Sequence, residues 1–404
     1  MKRILASTMM VSLLLLTMLP ASALAAKPIH VGIVDCYSGP ASTYTNDVLD
    51  GFKLVVDEVN AKGGVLGRQI TYTTRDSKFK VGLGLSAAKE LIMKENVDIL
   101  MGTINSGLAL AISDLCKNEK IPFFATFAKS AKITGEMGHR YVFSMNENTA
   151  MIGKAAAHGL ALKPFTTYWI AGDDYEYGHA LADGVWNNLQ QLKPGVELLG
   201  QSWWKVGEPD FTPYITSILA AKPDCVIIAT GGRDCVPFLK AAKATGFNEK
   251  VPFYMHTATE LSTLKPLGLN APEKVIGTSN YHFHYPATGA NKAFVAAFQK
   301  AYNRLPKVGA LYGYTTAKLI INGYEKAGAV NTEKFIDSIE GMAIDSPVGN
   351  LTMRAFDHQM MFPMFMGTTA KVEGYDFLMP VDLVTIPGSD VIPSVEEITK
   401  ARKQ

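Results

Sequence analysis

The chain has 404 residues, a formal net charge of +2 at pH 7, 48% hydrophobic and 19% charged residues. That length would overextend a single core, so two domains are expected. The balanced charge gives no electrostatic reason to seek nucleic acid or anionic lipid, and no nucleic-acid partner is expected.

Residues 1–25 read as a targeting segment. A basic Met1-Lys2-Arg3 start precedes the apolar run VSLLLLTML, and Ala23-Leu24-Ala25 supplies the small-x-small pattern of a cleavage site. The mature chain is expected to begin near Ala26, exported and soluble, and losing Lys2 and Arg3 brings its formal charge to about zero. Cys36, Cys116, Cys225 and Cys235 match no zinc or redox spacing. They read mainly as small buried hydrophobes, with one disulfide left open.

In chain order, HVGIVD reads as a buried strand, and VLDGFKLVVDEVNA has helical spacing at Val48, Phe52, Val55, Val56 and Val59. The glycines of KGGVLG close that helix. QITYTTRD alternates like a strand, LSAAKELIMKE is helical, VDILMG is a strand, LALAISDLCKNEK a helix and IPFFATF a strand. After YVFSMN the rhythm restarts, from TAMIGKAAAHGLAL and TTYWIAGDD through DCVIIATGG, DCVPFLKAAKATG and VPFYMH. Two such runs imply two doubly wound parallel-sheet domains of the α/β class, joined by a hinge. Long helices in KAFVAAFQKAYNRL and GALYGYTTAKLIINGYEKAG, then strands in GNLTMRA and QMMFPMFMGTTAKV, would complete both domains.

Enzyme motifs fail in turn. GLGLSA fits G-x-G-x-x-A but is set apart from the preceding strand and lacks the later acidic residue of a dinucleotide site. His282 and His284 in HFH would share one side of a strand, yet a third metal ligand is missing. Arg354, Asp357, His358 and Gln359 could pass for an acid–base cluster, but read better as a charge-assisted pair orienting an interdomain turn. What remains are strand-end loops rich in small polar and aromatic residues, and ligands of open α/β sheets bind at such ends. Ser38 and Tyr44 follow the first strand, and Thr103, Asn105, Ser106 and Gly107 follow VDILMG. Backbone amides at a helix start, joined by the Ser106 hydroxyl, suit a carboxylate. Phe127, Ala128 and Lys129 follow IPFFAT. In the second half come Tyr175 and Tyr177, Thr230 to Arg233 (including Gly231), and His256 to Glu260. Loops at matching sheet ends in both halves point to a cleft, with no cofactor or metal expected.

Over nearly the whole mature chain the sequence resembles type I periplasmic binding proteins of the Leu/Ile/Val-binding class. The resemblance rests on SGPASTY, DGFKLVVDEVNAKGGVLGRQI, MGTINSGLALAISDLCKNEKIPFF, DDYEYGHAL and PDFTPYITSILAAKPDCVII, with NAKGGVLGR the specific segment. It implies a periplasmic, non-catalytic, monomeric receptor that closes on a small ligand and delivers it to an ABC permease and ATPase complex. It also implies cleft roles for Tyr44, Ser106 (on the ligand's carboxylate), the Phe127–Ala128 position, Tyr177 and a late helix tyrosine near Tyr314. The lobes are expected at residues 26–146 with about 281–353, and 147–280 with about 354–390, followed by a tail at 391–404.

One departure bears on the ligand. Ala258 stands where the family's amino-acid receptors place a glutamate for the ammonium group, with Glu260 two residues on. Lys129 replaces a small hydroxyl residue, and Arg233 an aromatic one. Extra cations and a missing anion favour an aromatic or aliphatic carboxylate, or a small amide; a shifted loop that brings in Glu260 keeps the amino acid. A ligand sensor for a membrane signalling protein is the reading of another class.

Overall fold

The computed structural model describes residues 27–39 and 41–403; the expected signal peptide lies outside the described residues. The first lobe opens with β1 (Ile29–Asp35), α1 (Ser42–Ala61), β2 (Ile70–Asp76), α2 (Val81–Met93) and β3 (Ile99–Gly102), then α3 (Ser106–Glu119), β4 (Phe123–Ala125) and β5 (Val142–Ser144). All five strands pair in parallel, in the order β2-β1-β3-β4-β5. β1, β3, β4 and β5 are buried almost throughout because helices cover both faces of the sheet.

The second lobe follows with α4 (Thr149–Ala161), β6 (Thr167–Asp173), α5 (Glu176–Leu192), β7 (Glu197–Trp204), α6 (Thr212–Ala221) and β8 (Cys225–Ala229). It continues with α7 (Cys235–Ala244), α8 (Phe247–Lys250), β9 (Phe253–Met255), a 3-10 turn at His256–Thr259, α9 (Leu261–Leu267) and β10 (Ile276–Ser279). The chain then returns to the first lobe with α10 (Gly289–Tyr302), α11 (Val308–Ala327) and α12 (Thr332–Ile339), and a hairpin of β11 (Ala343–Ser346) and β12 (Gly349–Thr352). Last come β13 (Met364–Ala370), β14 (Met379–Ile386), α13 (Gly388–Val391) and α14 (Val395–Ala401). β13 and β14 add antiparallel strands to the second sheet, whose order is β14-β13-β10-β9-β8-β6-β7.

The parallel part of the second sheet, β7-β6-β8-β9-β10, repeats the order of the first. An aspartate closes the first strand of each sheet and does the same job in both. Asp35 Oδ1 accepts from the Cys36 and Ile104 amides, each at 2.9 Å, so it ties the loop after β3 to the end of β1. Asp173 Oδ2 accepts from Thr230 Oγ1 at 2.6 Å and the Gly231 amide at 3.1 Å, tying the loop after β8 to β6. These two loops sit at the topological switch points, where an open α/β sheet presents ligand-binding backbone. The repeat therefore lives in strand order and in two aspartates.

Helix α1 begins at Ser42, so Ser42, Thr43 and Tyr44 form its first turn and not the loop expected from the sequence. The amides of Tyr44 and Thr45 bond the Ala41 carbonyl, and Thr45 Oγ1 donates to Cys36 O at 2.5 Å. At its other end NAKGGVLGR is a clasp. The Gly63 and Gly64 amides bond Asn60 O and Val59 O, and the Asn60 side chain holds both the amide and the carbonyl of Ile70. Gly64 has φ +78°, and a Cβ there would strike the Arg68 carbonyl, so only glycine fits. Residues 282–285 are a tight turn closed by a His282–Tyr285 bridge, not a strand. All four cysteines are free and buried.

Candidate functional site

The lobes meet across a cleft between the two switch points. Tyr44 OH lies 3.3 Å from Thr263 Oγ1 of the second lobe, and Phe79 packs edge-on against Tyr175 at 6.2 Å between ring centres. At one edge Glu176, in the first turn of α5, accepts from Ser130 Oγ at 2.6 Å and Lys132 Nζ at 3.1 Å. Between the lobes lies a small cavity. Tyr44, Ile104, Phe127 and Lys129 line it from the first lobe, and Tyr175, Tyr177, Gly231, Gly232 and Thr257 from the second. Phe127 stands edge-on to Tyr44 at 5.8 Å, which gives the cavity an aromatic wall.

Beside that wall is a fully buried charge network. Lys129 forms an ion pair with Glu147 Oε1, and its Nζ lies 3.1 Å from His256 Nε2 and 3.3 Å from Tyr312 OH. The ammonium also sits 5.2 Å from the centre of the Phe127 ring, a cation–π contact. Glu147 Oε2 accepts from Tyr312 OH at 2.5 Å and from Asn280 Nδ2, so both its oxygens are saturated. Burial alone would raise the Glu147 pKa, but the Lys129 charge and the His256 contact outweigh it and hold the carboxyl down at about 2. Burial also pushes His256 down to about 4, reinforced by Lys129, so this imidazole is neutral near pH 7.

Glu260 is the odd member. It is fully buried, and its carboxyl, Glu147 and His256 bring ligand atoms within 4.8 Å of one another. That triad has the donor set of a metal site, yet the Lys129 ammonium already lies against Glu147 and His256, so the chain supplies its own cation there. Among the described residues, Glu260 Oε2 has one contact, Ser262 Oγ at 3.5 Å, and Oε1 has no hydrogen-bond partner. Burial lifts its pKa to about 8, with Glu147 adding to the rise against the pull of Lys129.

Of the residues singled out in the sequence, Tyr44, Phe127, Lys129, Tyr177 and Gly231 line the cavity. His256 stands behind Lys129 in the charge network. Ser106 opens α3, and its buried Oγ has no hydrogen-bond partner among the described residues. Asn105 caps that helix, accepting from the Leu108 amide at 2.9 Å. Thr103 turns instead to Asp35 Oδ1, at 3.4 Å, and Ala128 is buried in the core beneath β4. Arg233 is outside the cavity and partly exposed, 3.5 Å from Asp234 Oδ1. Tyr314 packs on Phe294 at 4.9 Å, away from the cavity. Two residues turn a helix through about 200°, so from α11 it is Tyr312 that reaches the charge network.

The expected surplus of positive charge is therefore cancelled. Lys129 is neutralised by Glu147, Arg233 is at the margin, and Glu260 brings a second carboxyl inside. Ala258 is packed into the second lobe's core. Sequence reasoning missed Glu147, Tyr312 and Asn280. The one local signal was a lone carboxylate in SMNENTA, where the chain leaves the first lobe. Arg354 pairs with Asp357 through two hydrogen bonds, and His358 stacks on Phe143 at 4.3 Å with its nitrogens on Val142 O and Glu340. Gln359 Nε2 donates to Asn146 O and its Oε1 accepts from Asn148 Nδ2, joining two crossings between the lobes. This cluster is structural.

Two α/β lobes closed over a cavity at their switch points define a hinged solute receptor. The chain belongs to the periplasmic binding protein family, whose profile matches residues 28–373, and it is a periplasmic solute-binding protein, not an enzyme. It is 24% identical over 408 residues to Leu/Ile/Val-binding protein homolog 4 of Brucella abortus (strain 2308), covering 95% of this chain and 94% of that one. Among solved structures it is similar to a solute-binding protein of an ABC transporter from Rhodopseudomonas palustris BisB5, in complex with 3,4-dihydroxybenzoic acid. There the TM-score is 0.80 at 19% identity, covering 92% of this chain and 99% of that one. A leucine-, isoleucine-, valine-, threonine- and alanine-binding protein from Brucella ovis, in a closed conformation, gives a TM-score of 0.79 at 22% identity, covering 92% and 98%. At such identities the structural likeness is one of fold.

Proposed function

We propose that the protein captures a small hydrophobic amino acid for an ABC importer. The ligand's carboxylate would lie at Ser106 and the first amides of α3, its ammonium at Glu260, and its side chain against Tyr44, Phe127 and Tyr177. The observation that carries this reading is the second buried carboxyl: one lysine cannot neutralise both Glu147 and Glu260, and an ammonium group supplies the missing charge. The unpartnered Ser106 hydroxyl at a helix start supports the carboxylate end. The proposed rigid bodies are residues 26–146 with about 281–353, and 147–280 with about 354–390, and ligand shifts them toward closure by its greater affinity for the closed form.

A second reading is favoured by the rings of Tyr44, Phe127, Tyr175 and Tyr177: an aromatic carboxylate without an amine, held with Glu260 protonated. The Rhodopseudomonas relative in complex with a dihydroxybenzoic acid is in keeping with it. A thermal-shift panel on refolded, ligand-stripped protein separates the two. A ligand at about 1,000 times its Kd stabilises by roughly 4 kcal/mol and raises the melting point by several degrees. Leucine, isoleucine, valine or phenylalanine should give that shift, and Glu260→Gln should abolish it. If only benzoates shift the protein, and Glu260→Gln leaves them unaffected, the second reading replaces the first.

A further inference from the structure

We propose that capture of an ammonium-bearing ligand expels a proton from Glu260, so that ligand binding and proton release are a single event. The inference rests on the assignment of Glu260 as the ammonium partner and adds the protonation state from which it starts. Within one buried cluster the chain places two carboxyls and one ammonium, and the ammonium is committed. Glu147 has Lys129 and His256 at one oxygen, and Tyr312 and Asn280 at the other. Glu260 has a single 3.5 Å contact and an oxygen with no partner. Two carboxyls sharing one site do not both ionise when only one is paired, and the one left without donors retains its proton. The Glu260 pKa, raised to about 8 by burial and by Glu147, agrees with the geometry.

Among the described residues, no other group facing Glu260 relieves this. Lys129 belongs to Glu147, and His256, on the same turn as Glu260, is neutral near pH 7. Tyr44 on α1, Tyr177 on α5 and Tyr312 on α11 are all raised well above the usual phenol value, burial being the main cause. Cys235 on α7 is pushed up to about 12 by the same burial. Each stays protonated and uncharged. When an ammonium arrives, the neutral acid becomes its carboxylate partner and the proton passes to solvent: COOH plus ammonium gives a carboxylate–ammonium pair plus one released proton. Free amino acids stay zwitterionic from about pH 5 to 8, so the ligand is not the source.

Isothermal titration calorimetry of the ligand-stripped protein with L-leucine and L-phenylalanine, at pH 7 in phosphate and in Tris, reads the proton directly. The two heats should differ by the difference between the buffers' ionisation enthalpies multiplied by close to one proton released per ligand. Affinity should weaken by about tenfold from pH 7 to pH 6 and level off above about pH 8. Binding with buffer-independent heat, or with proton uptake, overturns the proposal while leaving the amino-acid reading intact. Release that persists unchanged in Glu260→Gln also overturns it, because another group would then be the source. If benzoate binds and neither amino acid does, the ligand reading falls and this inference with it.

Discussion

Lys129 is the residue on which the chemistry of the cleft turns, because it is the one cation among Glu147, Glu260 and His256. Replacing it by methionine keeps much of the packing against Phe127 and Tyr312 but leaves the buried Glu147 carboxylate without its cation. Breaking a buried pair by removing one partner costs about 3–5 kcal/mol, and Lys129→Met should show that loss in urea unfolding at pH 8. The sign with pH follows from Glu147. In the wild type its pKa is depressed to about 2, so its contribution is present above the unfolded value near 4.5 and fades as pH falls toward 2. Without Lys129 that depression reverses, and the variant's deficit should shrink as pH drops from 8 to 5 and the carboxyls take up protons. An equal deficit at both pH values would mean that the ammonium contributes by packing and not by charge.

At the scale of elements, the cleft depends on two helices that approach more closely than side chains normally permit. Gly51 of α1 and Gly309 and Gly313 of α11 lie against the partner helix's backbone, and a Cβ on Gly313 would fall inside the van der Waals envelope of Val48 O. The close approach matters because α1 carries Tyr44 and α11 carries Tyr312, so the spacing of these helices sets the depth of the aromatic wall. Overpacking of this kind costs about 1–3 kcal/mol. Gly313→Ala should lower the denaturant midpoint accordingly and also weaken ligand binding, whereas Gly63→Ala, where a Cβ meets nothing but φ is +104°, should affect stability alone. The same device recurs in the second lobe, where Gly153 of α4 meets the backbone at Gly184 of α5.

For the molecule as a whole, the lobes are joined by contacts at the rim of the cleft as well as inside it. Glu176 of the second lobe takes hydrogen bonds from Ser130 and Lys132 of the first, at the rim and partly in water. Such a pair is worth about 0.5–1 kcal/mol, so Glu176→Ala should weaken affinity about two- to fivefold, chiefly through faster dissociation. Small-angle scattering of the ligand-free variant should report a larger radius of gyration if the latch biases the unliganded protein toward closure. An unchanged dissociation rate would assign closure to the buried network alone. The tail also touches both lobes: Glu397 of α14 pairs with Lys154 of α4, while Arg402 donates to the Thr134 and Gly135 carbonyls. Contacts between the lobes thus lie at the rim, in the buried network and along the tail.

The alternation of strand and helix, the presence of two lobes, and the loops from which a site would be built are legible in the residues alone. Those are local properties: hydrophobic period, glycine stops and strand-end composition act over ten or twenty residues. Tyr44, Phe127, Lys129, Tyr177 and Gly231 could be named because each follows a strand end. The charge balance of the cleft could not be read this way. Counting Lys129 and Arg233 suggested a surplus of cations, whereas Lys129 is cancelled by Glu147, 18 residues on, and Glu147 is saturated by Tyr312, 165 residues further. The choice of Tyr312 over Tyr314 rests on the rotation of one helix about its axis, and the state of Glu260 on how completely the second lobe removes it from water. Pairing, helix rotation and desolvation are products of long-range packing, so only the tertiary structure decided which charges the cleft leaves for its ligand.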